Sequence, residues 1–273
     1  MEQIKNIIRP TKGIDLQLKE LWQHRELLYF FAWRDIKVRY KQTILGILWA
    51  LLQPLGMMLL FVLVFSRSSI ASSTPIRYEV FVLSGLVLWN LFYHAVSQAS
   101  ESMITNSSII KKIYFPRLVI PLAALCSSFV DFIIGLLVLL IFCLVFGQPV
   151  NISAILYFPL AILVLLISSF GLGTLLGALN VKYRDFRYAL PFFLQFLFFA
   201  TQIIYPATII EQTWLQYLFA LNPVNTAIEL FRYPFGVSMN EQMVYIGLAS
   251  SLLIAIAGLF YFKKTESYFA DIV

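Results

Sequence analysis

The chain has 273 residues, of which 60% are hydrophobic and 12% charged, and 20 Lys and Arg against 14 Asp and Glu give a net charge of +6. Soluble domains carry about 25% charged residues, so a water-soluble fold would have to bury almost everything here, and a membrane protein is expected instead. Two cysteines and two histidines leave no metal-ligand spacing and no disulfide: Cys126 and Cys143 fall 17 residues apart on one helical stretch, about 25 Å at 1.5 Å per residue, far beyond bonding reach.

The first forty or so residues are polar and basic and lack the apolar core of a secretory signal, so the first long apolar run is expected to act as its own insertion signal. Within them, Leu18, Trp22, Tyr29, Ala32, Trp33, Ile36 and Tyr40 recur close to the spacing of one helical face. Arg34, Lys37 and Lys41 form an adjacent basic strip, with Arg39 beside it. Such a helix is expected in the inner membrane interface, either as an anchor or as the approach for a phosphate-bearing lipid.

Six apolar stretches follow, Ile44 to Phe65, Val80 to Ser97, Leu118 to Phe146, Ala154 to Leu179, Tyr188 to Ala207 and Val244 to Phe262. A bilayer core of ~30 Å takes ~20 such residues as helix, so each is expected to span. Gln53-Pro54 predicts a kink in the first. After the second, Asn106-Ser107-Ser108 and Pro116 bracket a short helix expected over Ile109 to Tyr114, apolar on one side and basic on the other, suited to docking a soluble partner or to anchoring.

Asp131, the only acid near a bilayer midplane, is costly there and is expected either to face a cavity or partner or to be satisfied locally by Ser127 and Ser128. Gly173 and Gly177 in the fourth stretch predict close helix packing. Asn180 to Arg187 reads as a short basic and aromatic loop. Between the last two stretches, Trp214 to Leu221 and Val224 to Phe231 are each too short to cross, so a re-entrant or interfacial helical hairpin is expected, rich in aromatics such as Trp214, Tyr217 and Phe231.

With the N-terminus assigned to the cytoplasm, seventeen basic residues fall on the inside and only Arg67, Arg77 and Arg232 on the outside. This positive-inside bias places both termini in the cytoplasm and explains the basic balance without nucleic acid. The expected organisation is a cytoplasmic segment 1–43 with the interface helix, a six-span region 44–262 and a cytoplasmic tail 263–273. No G-x-x-x-x-G-K-[ST] occurs, so nucleotide hydrolysis by that route must come from another subunit.

Four ordered segments carry a resemblance: FAWRDIKVRYKQTILGILWALLQP from Phe31, KIYFPRLVIPL from Lys112, NVKYRDFRYALP from Asn180 and LNPVNTAIELF from Leu221. The chain resembles bacterial ABC-2 type permeases that export polysaccharides, nearest those for O-antigen and polyol phosphates. The resemblance implies an all-α integral membrane fold of six transmembrane helices in the bacterial inner membrane, of the ABC-2 or type V exporter kind. It implies a homodimer paired with two copies of a separate ATPase that binds ATP and Mg, with no cofactor in this chain. The cargo would be a glycan on undecaprenyl diphosphate. By the same likeness Ile109, Ile110, Lys111, Lys112, Ile113, Tyr114 and Phe115 would couple to the ATPase, Arg34 to Lys41 would belong to a gate helix at the inner leaflet, and Trp214 to Phe235 would gate the outer side.

Sugar rings slide along aromatic walls with few fixed charges, since conduction needs binding weak enough to leave. Tyr78, Trp89, Phe92 and Tyr93 are the expected lining. Two other readings share parts of this sequence: an ABC-2 exporter of teichoic acid, capsule, lipid or drug, and a membrane enzyme acting on polyprenyl-linked sugars. The enzyme would need paired acids, and Glu79, Glu211, Glu229 and Glu241 form no such pair.

Overall fold

A computed structural model describes residues 18–41, 46, 48–183, 185–210, 212–266 and 269. The expected start of the first span at Ile44, and Lys5, Arg9, Lys12, Arg184 and Glu211, lie outside the described residues. Among those described, the regular structure is helical, with no strand.

Among the described residues, five helices are long and apolar enough to cross a membrane: α3 (Leu48–Phe65), α5 (Tyr78–Thr105), α7 (Val119–Val145), α8 (Ala154–Lys182) and α12 (Glu241–Glu266). The fifth expected stretch behaves differently. Its helix, α9 (Phe186–Phe199), has 14 residues, about 21 Å, and the chain leaves helical geometry at Ala200 instead of continuing to Ala207. Thr201 Oγ1 turns back onto the Leu197 carbonyl at 2.6 Å, and side chains from a later helix capture the peptides that follow.

α5 is the central post, longer than expected at both ends and buried without a break from Val80 to Trp89. α7, α8, α3 and α9 pack around it. α8 and α12 form another extensive contact, closest where Gly171 faces Gly258. A β-carbon at either glycine would overlap the backbone of the other helix, so small residues set this approach. Gly173 and Gly177 make the same kind of fit against Ala99 and Ser100 of α5, as the spacing led one to expect.

Between α9 and α12 the chain folds into α10 (Thr213–Ala220) and α11 (Pro223–Arg232). Asn222 caps α11 by accepting from the Val224 N–H at 3.1 Å, and Pro223 occupies the first turn, where its missing donor is harmless. α11 is buried among α8, α12 and α5.

The loops gather at two ends. At one end lie Thr105 of α5, the start of α7 and the end of α12, tied by hydrogen bonds from Arg117 to Glu266. Arg187 pairs with Glu101 there at 3.6 Å. At the other end the turn after α7 meets the segment after α11, where Asn151 N–H donates to the Pro234 carbonyl at 2.9 Å and Gln148 Nε2 to that of Phe235 at 3.3 Å.

The N-terminal helix breaks at His24 into α1 (Leu18–Gln23) and α2 (Arg25–Tyr40). Of the expected stripe, Trp22, Tyr29 and Trp33 are exposed and Ala32 is buried, beside Phe31, which lies outside the stripe and is buried too. Phe31 sits against Phe115, with ring centroids 5.9 Å apart, before the start of α7. From there α2 packs on α7, where its last turn finds a half-buried charge partner.

α4 (Ser69–Ser72) closes the turn after α3. The short helix after α5 is α6 (Ser107–Ile110), earlier than the expected Ile109 to Tyr114. Asn106 serves both helices, its Nδ2 donating to the Ser102 carbonyl at 2.8 Å and its own carbonyl accepting from Ile109 and Ile110.

Candidate functional site

The partner of Asp131 is α2. Arg39 Nη1 pairs with Asp131 Oδ2 and Tyr40 donates its hydroxyl to Oδ1, across more than ninety residues of sequence. The local alternative is corrected by this geometry: Ser127 bonds Gln98 Oε1 at 2.9 Å and the Ala124 carbonyl, and Ser128 bonds the same carbonyl. A carboxylate halfway along a spanning helix needs a full counter-charge, which a hydroxyl does not provide. The pair borders a cleft of about 130 Å³ between α2, α3, α5 and α7, which Gln53, Asn90 and His94 also line.

The basic residues of α2 therefore differ in role. Arg39 is committed to Asp131, and Arg34 pairs with Asp35 at 2.7 Å while lying over the Phe31 ring. Lys37 and Lys41 are exposed, and among the described residues neither has an acidic partner.

Residues 109–115 divide in the same way. Ile110 and Phe115 are buried in the core at the basic end, while Lys111, Lys112, Ile113 and Tyr114 project from it. Ile113 is 52% and Tyr114 66% exposed, an apolar tip flanked by two cations.

Of the aromatic candidates, Tyr78, Trp89, Phe92 and Phe231 are core residues. Tyr78 donates to the Ile204 carbonyl at 3.2 Å, Trp89 packs on Phe198, and Phe231 stacks on Phe158 at 4.3 Å. The central position of α5 and the insertion of α11 enclose these four within the protomer. Phe92 also lines a cleft near Pro223. Tyr93 is half-buried, and Trp214 and Tyr217 on α10 are exposed.

By sequence Arg232 counts only toward the topology, yet it organises the hairpin. It is 2% exposed. Its guanidinium donates to the carbonyls of Gln202 (2.6 Å), Phe81 (2.8 Å) and Ile203 (3.1 Å) and to Ser84 Oγ (3.1 Å), and lies over the Phe81 ring. Asn225 takes the Gln202 N–H at 2.8 Å and gives to the Phe219 carbonyl, and Asn222 bonds Thr201. Non-helical backbone inside a membrane protein persists only where protein satisfies its polar groups. Three side chains of LNPVNTAIELFR thus repair the break after α9. An arginine closing an apolar run is the signal that could have exposed this.

Glu229 lies one turn before Arg232. It accepts hydrogen bonds from the Gln202 side chain and the Asn240 backbone, and burial pushes its carboxyl up to about 6. Its Oε2 is buried with no hydrogen-bond partner among the described residues. It faces a second cleft, of about 200 Å³, between α10, α11, the start of α12 and residues 207–210.

A model of the ABC-2 type transporter family matches residues 26–235, from the first turn of α2 through the segment following α11. The chain belongs to this family. Similar proteins include the O-antigen export system permease protein RfbA of Klebsiella pneumoniae, 28% identical over 249 residues, 91% of this chain and 95% of the relative. Another of that name from Myxococcus xanthus is 28% identical over 258 residues, 92% and 97% of the two chains. The polysialic acid transport protein KpsM of Escherichia coli is 24% identical over 238 residues, 86% and 92%. As an ABC-2 permease the protein is a multi-pass membrane subunit, and the family implies an ABC ATPase as its partner.

Proposed function

We propose that this chain is the membrane subunit of an exporter of polysaccharide, most closely O-antigen carried on undecaprenyl diphosphate, from the cytoplasmic to the outer face of a bacterial inner membrane. It works as a homodimer with two copies of an ATPase subunit, and both of its termini are cytoplasmic. The observation that carries this reading is the match, along nine-tenths of the chain, to permeases named for export of O-antigen. The named polysialic acid transport proteins support a capsule as the second cargo, at lower identity.

The geometry supports the assignment of parts. The exposed tip Lys111 to Tyr114 docks the ATPase, with Ile110 and Phe115 rooting it in the permease. Lys37 and Lys41 attract the lipid diphosphate at the inner leaflet, and the ion pair of Arg39 with Asp131 holds α2 against α7. α9, continued by residues 200–206, completes a sixth crossing, and α10 with α11 forms the outer hairpin.

Deleting the gene in its host should abolish surface polysaccharide and leave lipid-linked glycan inside, restored by the wild-type gene. Surface glycan of normal amount in the deletion strain refutes the assignment. In a complemented strain, Ile113→Asp with Tyr114→Asp should remove the ATPase from the purified complex while membrane insertion survives, because both residues are exposed here. Unchanged co-purification sinks the docking role.

A further inference from the structure

We propose that the cleft between α10, α11 and the start of α12 is a binding subsite for an uncharged, polyhydroxylated unit, a sugar residue of the exported chain, held at the hairpin end. This rests on the reading that the cargo is a glycan.

The cleft has a volume of about 200 Å³, with Gln202, Thr208, Glu229, Ser238, Met239 and Met243 in its lining. Its wall contains one carboxylate, Glu229, whose Oε2 is buried and lacks a hydrogen-bond partner among the described residues. A buried acceptor without a donor is costly and marks a place where a donor from outside is favoured. Thr208 and Ser238 also line the cleft, both exposed, and for neither hydroxyl is a hydrogen bond present among the described residues. Met239 and Met243 add apolar surface of the kind that covers the C–H face of a ring.

The same lining argues against other ligands. Among the described residues no Lys, Arg or His borders the cleft, and Arg232, three residues along α11, turns away to the Gln202 and Phe81 carbonyls. A phosphate or carboxylate would therefore meet only the Glu229 charge. A hard divalent cation takes six to eight oxygens, commonly from several carboxylates, and Glu229 is the one acid among the described lining residues. Hydroxyl groups, which both donate to a carboxylate and accept from serine and threonine, complement the wall on both counts. Position strengthens the case: the cleft opens at the end of the molecule opposite the basic loops, where a chain emerging from the bilayer would be met.

The test uses the full permease with its ATPase in lipid nanodiscs and, as probe, polysaccharide freed from lipid by mild acid from the host's own cells. Wild-type protein should bind it, and Thr208→Val with Ser238→Ala should weaken binding about tenfold, two hydroxyl contacts being removed. Glu229→Gln should weaken it as well. The double variant changes exposed side chains only, so it tests the site even where the Glu229 variant folds poorly. No binding by wild type, or equal binding by wild type and the double variant, overturns the subsite. Competition by millimolar calcium or inorganic phosphate overturns the uncharged ligand class. If the deletion strain loses surface glycan while these binding results fail, export stands and only the subsite falls.

Discussion

Replacing Arg232 by leucine should loosen the whole hairpin end. Among the described residues, the Gln202 and Ile203 carbonyls receive a donor only from this guanidinium. Phe81 keeps a second partner in Ser84 Oγ at 2.7 Å. Leaving a buried acceptor unpaired costs ~1–3 kcal/mol, so two cost ~2–6 kcal/mol, and the lost contact with the Phe81 ring adds about 2 kcal/mol. Leucine recovers part of this because it has no charge to desolvate, which leaves roughly 4 kcal/mol. At ~2–4 °C per kcal/mol, that is a fall of roughly 8–16 °C in the apparent Tm. Thermal unfolding of the detergent-purified protein, followed by size-exclusion fluorescence, reads it directly. Arg232→Lys keeps the charge but not the planar fork, so it should satisfy one carbonyl and lose about half as much. A leucine variant within about 2 °C of wild type would refute the view that Arg232 repairs the break after α9.

Gly258→Ala should destabilise by ~1–3 kcal/mol or more, since its methyl meets the Gly171 carbonyl, whereas Gly56→Ala, with open space around it, should be neutral or slightly stabilising in the same thermal assay. Burial raises the Glu229 carboxyl from 4.5 to about 6, so the folded chain holds a proton that the unfolded chain has lost between those values. That contribution is fully present below pH 4.5 and falls by about 2 kcal/mol as the pH rises through 6. Glu229→Gln should flatten the difference in Tm measured between pH 5 and 7.5, and an unchanged slope removes Glu229 as its source. Cysteines introduced at Ser108 and Gln212 in a Cys126→Ala, Cys143→Ala background should respectively resist and accept an impermeant thiol reagent in intact cells, and labelling at Ser108 inverts the proposed topology.

Apolar length makes the bundle legible in the sequence, because a bilayer demands it: five of the six stretches are helices of spanning length. The fifth is not, and its sequence could not say so. Phe186 to Phe199 and the apolar residues after it read as one run, whereas the break at Ala200 depends on hydrogen bonds from Asn225 and Arg232, more than twenty residues later. Asp131 was legible as a cost but not as a pair, since its partners Arg39 and Tyr40 come from a helix that periodicity assigned to the membrane surface. The surroundings of the aromatic candidates were hidden for a related reason. Composition reports that rings are present, but the depth of α5 in the bundle decides whether Trp89 meets cargo or Phe198.

The contact of Gly171 with Gly258 has a mechanical consequence. Two helices touching backbone to backbone have no soft side-chain layer between them, so α8 and α12 deform together as one stiff slab, with α5 and α7 bonded to its face. α3 buries only Pro54, Met58 and Phe61, and α2 only Phe31 and Ala32 plus its clasp on Asp131. Compliance is therefore distributed unevenly: a force applied at the basic end displaces the slab as a unit, and the strain is taken up in the thin seam behind the first two long helices.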